Sequence, residues 1–121
     1  MATSNETRWE LFVQEVAEHG LVWTIEKDGQ FVTSNNRHGT KCFPWWSSRE
    51  RVIAQINQVP AYTGYIQSGY EWRTFLDEWV PSLRQAKCLL GVNYSGKTNV
   101  GLDLPIDEVI NAVKMARSNL G

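Results

Sequence analysis

Residues 99–104, Asn-Val-Gly-Leu-Asp-Leu, decide between two incompatible architectures. They follow GVNYSGKT at 91–98, which matches G-x-x-x-x-G-K-[S/T], the phosphate-binding loop of nucleotide hydrolases. A working loop of that kind leaves a buried strand, turns on glycines and enters a helix whose amide groups meet the phosphates. The helix would have to begin near Lys97-Thr98. Instead Val100, Leu102 and Leu104 alternate with Asn99, Gly101 and Asp103, a period of two that specifies a strand, and Pro105 ends it. Val92, Asn93 and Tyr94 then belong to an incoming strand, and Tyr94–Thr98 to a hairpin tip with Gly96 supplying positive φ. A magnesium-binding carboxylate after the next strand would have to be Asp103, too close for the usual layout. Nucleotide binding through this segment is not expected.

The remaining elements fit an antiparallel frame. Thr7 and Glu10 form a capping box, and Trp9, Phe12, Val13, Val16 and Ala17 make one apolar helix face that ends at His19-Gly20. Residues 21–27 alternate as a strand, Asp28-Gly29 is a two-residue hairpin turn, and 30–34 return. A polar loop at 35–39 leads to a strand over 40–46. Ser47 and Glu50 cap a short helix with Val52, Ile53 and Ile56 inward. Residues 60–69 show no period. Trp72, Phe75, Leu76, Trp79, Val80 and Leu83 mark a third helix, which Pro81 should kink or stop. Strands over 87–94 and 99–104 precede a last helix that begins at Pro105. The expectation is an α+β fold: about five mostly antiparallel strands in one sheet, about four helices packed on it, and a single domain over 8–121 behind a tail at 1–7.

A chain of 121 residues, 42 % apolar and 21 % charged, suits one folded domain. The net charge of -1 gives no bulk attraction to nucleic acid or anionic lipid, so neither is an expected partner. The N-terminus lacks a basic head followed by an apolar run, and no apolar stretch is long enough to span a membrane, so a cytoplasmic protein is expected. Cys42 and Cys88 sit in apolar runs, as reduced buried thiols do.

No catalytic set emerges. There is no G-x-S-x-G elbow and no Cys–His pair at a signature spacing. His38 and Cys42 are about 13 Å apart if extended, too far to share a metal ion unless the chain folds back. Asp77 and Glu78 read as solvated helix charges. The expectation is no catalytic residue, no metal and no cofactor. Trp45-Trp46 is more informative, because neighbouring side chains of a strand point to opposite faces. Either one ring fills the core while the other packs under the helix beginning at Ser48, or one is exposed beside the tyrosine-rich 62–70 segment as a partner-binding anchor. Trp45, Trp46, Tyr62, Tyr65, Tyr70 and His38 are therefore the candidate partner- or ligand-binding residues.

WELFVQEVAEHGLVWTIEKDG, FPWWSSRERV, WRTFLDEWVPSL and LLGVNYSGKTNVGLDLPIDEVINAV, in that order, resemble the bacterial family called domain of unknown function 2750, over about Arg8 to Leu120. Phe12, Trp23, Pro44, Trp46, Phe75, Pro81 and Leu83 fall on the family-like positions. They are mostly apolar, so the resemblance implies a shared core, not a catalytic set. It also places GKT between the last two strands. The chain departs from the family at Trp45 and in the aromatic segment 60–72. The reading that follows is a non-catalytic protein-binding module, of the immunity or regulatory type by analogy with small acidic inhibitors. The alternative is a small-molecule-binding or enzymatic domain with a pocket from the 35–46 and 62–70 segments.

Overall fold

A computed structural model describes residues 4–120. The elements are α1 (Asn5–His19), β1 (Leu21–Lys27), β2 (Gln30–Phe31), β3 (Ser34–Asn35), β4 (Lys41–Trp45), α2 (Arg49–Gln58), a 3₁₀ turn (Pro60–Tyr62), β5 (Ile66–Glu71), a composite helix α3 over 72–85, β6 (Leu89–Ser95), β7 (Val100–Leu104) and α4 (Ile106–Leu120). The α+β class holds with four helices, but the strands form two sheets, not one sheet of five. One has the order β2-β1-β5, and the other β3-β4-β6-β7. All pairs are antiparallel except β4 with β6.

Proline explains the division. Trp23 and Trp46 exchange both backbone hydrogen bonds, at 2.8 and 2.7 Å, as an isolated antiparallel bridge between the sheets. The next bonded pair along that ladder would set Ile25 against Pro44, which has no N–H to give. The Pro44 carbonyl takes the Thr24 hydroxyl instead, at 2.9 Å. In the other direction, Ser48 already caps α2. The β1–β4 ladder therefore stops after one pair. The returning strand splits with it: Gln30–Phe31 stay on β1, and Ser34–Asn35 cross to β4.

Both tryptophans are completely buried, on opposite faces. Trp45 joins Phe43, Leu90 and Val92 beneath α1, α3 and α4, with Phe75 and Trp79 edge-on to its ring at 4.8 and 5.0 Å. Trp46 joins Ile25, Val52, Tyr62 and Tyr94 beneath α2. The expectation that one tryptophan fills the core and the other packs under the second helix is thus the arrangement found.

Three local readings shift. Ser4, not Thr7, caps α1, its hydroxyl accepting the Thr7 N–H at 3.1 Å, and residues 1–3 of the expected tail lie outside the described residues. Ser48, not Ser47, caps α2, because Ser47 is engaged elsewhere. Pro81 does not stop α3: the five residues before Val80 form a π-helical turn, with the Val80 N–H bonded to the Phe75 carbonyl. That wider turn relaxes the ladder where proline removes a donor.

The hairpin expectation for GVNYSGKT holds. The turn spans 96–99, with Gly96 at φ 78 and Asn99 at φ 56, and β7 follows it. The Gln55 amide on α2 donates to the Gly96 carbonyl at 2.9 Å and to Asn99 Oδ1 at 2.7 Å, and the Asn99 amide donates to the Tyr62 hydroxyl. Side chains from α2 and the 3₁₀ turn thus fix a tip that a phosphate loop would have turned into a helix.

The tryptophans differ in one polar bond. Trp46 Nε1 donates to the Tyr94 carbonyl at 2.8 Å, whereas Trp45 Nε1 is buried without a hydrogen-bond partner among the described residues. Both Trp→Phe changes shrink a core ring, but only Trp46→Phe strips a buried carbonyl of its donor. Urea unfolding should show Trp46→Phe to be the more damaging by about 1–2 kcal/mol.

Candidate functional site

The six candidate residues do not gather into one patch. Trp45 is fully buried, and Tyr70 packs half-buried against it at 6.0 Å. Trp46 and Tyr62 are buried in the other core, and half-buried Tyr65 lies edge-on to Tyr62 at 6.0 Å. His38 stands alone on an exposed turn, where Asn36 Oδ1 accepts the N–H groups of His38 and Thr40 at 2.9 and 3.0 Å. The aromatic richness that suggested a surface site is the material of two cores.

Two polar clusters are built around strand irregularities. Asn93 takes positive φ (46°) at a bulge in β6, a conformation asparagine tolerates. Its side chain then accepts the Ser47 N–H at 2.9 Å and donates to the Ser47 hydroxyl at 2.9 Å. That hydroxyl donates to Glu15 at 2.6 Å, and Arg51 clamps Glu15 with two bonds of 2.9 and 2.7 Å. The Arg51 bonds, then the Ser47 bond, hold the Glu15 carboxyl below its usual range against the opposing effect of burial. This network ties α1 and α2 to β6.

The second cluster follows from the same bulge. Tyr94 is turned across the sheet, and its ring occupies the space that side chains at Gly91 and Gly101 would need, with a Cβ there falling 2.7 and 2.1 Å from the ring. Its hydroxyl donates to Asp103, near Cys42. Burial, then the Asp103 carboxylate, pushes the Cys42 thiol up to about 11, and the same two causes raise the Tyr94 phenol far above its normal range. Both stay protonated at neutral pH, so the cluster supplies neither a thiolate nor a phenolate nucleophile.

A shallow polar hollow borders the Glu15–Arg51 pair, and two larger apolar-lined grooves lie away from the clusters. Between α1 and α4 runs an apolar groove of about 380 Å³, floored by Trp9, Val13 and Ala17 from one helix and Ala112, Ala116 and Leu120 from the other. Each set is spaced by four residues, so each forms a ridge along its helix. Glu10, Gln14 and Glu18 edge the groove, and no Lys or Arg lines it. A second groove of about 950 Å³ opens where the ends of α1 and α4 meet the start of α3. Leu21, Trp72, Leu76 and Ile110 line it, with His19, Arg73, Lys114 and Arg117 against one acid, Glu71. Arg73 is paired with Asp77 at 3.1 Å, whereas Lys114 and Arg117 have no ion-pair partner among the described residues. The periodicity that nominated Trp9, Val13 and Ala17 as a helix face contained the first groove's signal, since a stripe wider than the core needs leaves one edge uncovered.

The profile of the family described as "Protein of unknown function (DUF2750)" matches residues 9–113. No curated protein matches the chain. The matched span contains both cores, the bulge and the hairpin, and stops short of the last turns of α4 that border both grooves.

The Glu15 network predicts acid lability with a defined sign. A carboxyl whose folded pKa is depressed contributes stability above its unfolded value, near 4.5, and loses it as pH falls through the folded pKa. Glu15→Gln should cost about 1 kcal/mol at pH 7, partial exposure screening the pair, and should flatten the decline in stability below pH 4.5. Urea titrations of both proteins between pH 3 and 7 would show it.

Proposed function

We propose that this chain, which belongs to the DUF2750 family of proteins of unknown function, is a non-catalytic binding module that receives an amphipathic helix of a partner protein in the groove between α1 and α4. The observation that carries this reading is the pair of four-spaced ridges, Trp9-Val13-Ala17 and Ala112-Ala116-Leu120, which line one groove side by side, with Ala17 buried at its floor and the others half-buried or exposed. A third helix packs by laying its own four-spaced row between such ridges, and the alanines let its backbone come close. Leu120, at one end of the groove, is 59 % exposed, apolar area that water would otherwise wet. The acidic edge selects the partner: three apolar anchors at helical spacing, flanked by Lys or Arg that face Glu10 and Glu18.

Ala116→Glu puts a charge on the groove floor and only lengthens a half-buried side chain. Affinity capture from native lysate with the wild type, with Ala116→Glu and with Arg49→Ala on exposed α2 should give specific bands that only Ala116→Glu loses. Equal capture by all three proteins, or specific capture by none, would count against the proposal.

The cationic groove favours a second reading, in which the chain binds a small organic anion with an apolar body. The lining supports it: Lys114 and Arg117 stand beside Leu76 and Ile110 in a space of ligand size. Neither the 35–46 segment nor the 62–70 segment lines it. Thermal-shift screening with aromatic carboxylates and phosphate esters should raise the melting temperature by a few degrees, and Lys114→Gln with Arg117→Gln should abolish the shift. A screen with no response, or a shift that survives both changes, argues against this reading.

A further inference from the structure

β5 is the terminal strand of its sheet. Trp23 directs both its backbone groups toward Trp46 and so away from β5. Its cross-strand neighbour Gly69 must then direct its own N–H and C=O outward, because antiparallel residues alternate between bonded and unbonded pairs. The same parity turns Gln67 and Glu71 outward, and points Ile66, Ser68 and Tyr70 inward to Glu26, Thr24 and Val22. Three successive outward positions thus present donors and acceptors that have no backbone partner among the described residues.

Other edges in this protein are blunted. β2 and β3 have two residues each, and β7 runs beside the bulged stretch of β6 and carries Asp103. β5 has six residues, no proline, no lysine and a regular ladder, and Ile66 at its start is 59 % exposed. Such an edge is a template for another strand.

We propose that its occupant is β5 of a second copy of this chain, paired antiparallel about a two-fold axis at Gly69. The outward set is symmetric about that residue. Gly69 meets Gly69 of the second copy, and Gln67 and Glu71 meet Glu71 and Gln67, giving about six hydrogen bonds with no outward group left over. The side chains agree with this register. A Gln amide lies beside a Glu carboxylate at each end, so the one acid on the edge meets a donor and not its own copy. At the axis, glycine leaves nothing to clash, and the Trp23 ring already covers its face, at 2.7 Å from where a Cβ would stand. The two three-stranded sheets become one of six strands.

The test joins a cross-link to a mass measurement. In this register positions 67 and 71 of opposite chains have Cα atoms about 5.5 Å apart, within disulfide range. Within one strand they are about 13 Å apart and cannot join. Mild oxidation of the Gln67→Cys/Glu71→Cys double variant should give a covalent dimer on a non-reducing gel. Native Cys42 and Cys88 are buried and do not compete. Sedimentation of the wild type should show a dimer that dissociates on dilution. Gln67→Glu, with unchanged circular dichroism, should weaken it at least tenfold by setting carboxylate against carboxylate, and Gln67→Glu/Glu71→Lys should restore it. A wild type that stays monomeric at the highest concentration overturns the proposal. A dimer indifferent to Gln67→Glu, or one that cross-links through Gln67→Cys alone, overturns it equally.

Discussion

The exchange of two backbone hydrogen bonds between Trp23 and Trp46 is the joint on which the architecture turns. It holds the sheets together at one point, and Pro44, two residues away, prevents the joint from lengthening into a ladder. Trp46 lies on the α2 side and Trp45 under the other three helices. A continuous β1–β4 ladder would merge the sheets and leave no wedge for the strand that crosses from β1 to β4 as β2 and β3. The Thr24 hydroxyl satisfies the Pro44 carbonyl, which this divergence leaves without a β1 N–H.

The second constraint is the bulge at Asn93. One residue at positive φ lets a side-chain amide bind Ser47 where a strand would have continued. It also turns Tyr94 across the two glycines that make room for its ring. Helix α2 is fastened at both ends of this region, through Arg51 to Glu15 and through Gln55 to the hairpin tip. These bonds join residues far apart in sequence, so they form only when the whole domain does, and each helps to select one packing. The phosphate-loop pattern is a by-product of this hairpin: Gly91 makes way for Tyr94, Gly96 makes the turn, and Lys97 and Thr98 stay in water.

The surface has a different character from the interior. Nearly all the aromatic area that drew attention in the sequence is spent on packing, including the Trp45-Trp46 pair and Tyr62. The surface includes an alanine-floored groove with an acidic edge, a cationic groove and an open strand. None depends on a reactive group, and Cys42 and Tyr94 are held protonated by the burial that makes them structural. The two cores beneath them fix where these surfaces lie.

Read from the chain alone, periodicity located all four helices and the last hairpin, its tip set at 94–98 where the turn falls at 96–99, and it required Trp45 and Trp46 to face opposite ways, because side-chain direction is a local property of helix and strand. Strand β5 was missed: at Gly69 the filling ring comes from Trp23 on the neighbouring strand, so the segment's own letters carry no alternation. The division into two sheets and the choice of open edges were decided only in three dimensions, as were the grooves. Strand pairing is made by backbone N–H and C=O groups, which every residue carries alike except proline. Pro44 was therefore one letter that bore on the partition, and its meaning depended on β1 lying opposite it.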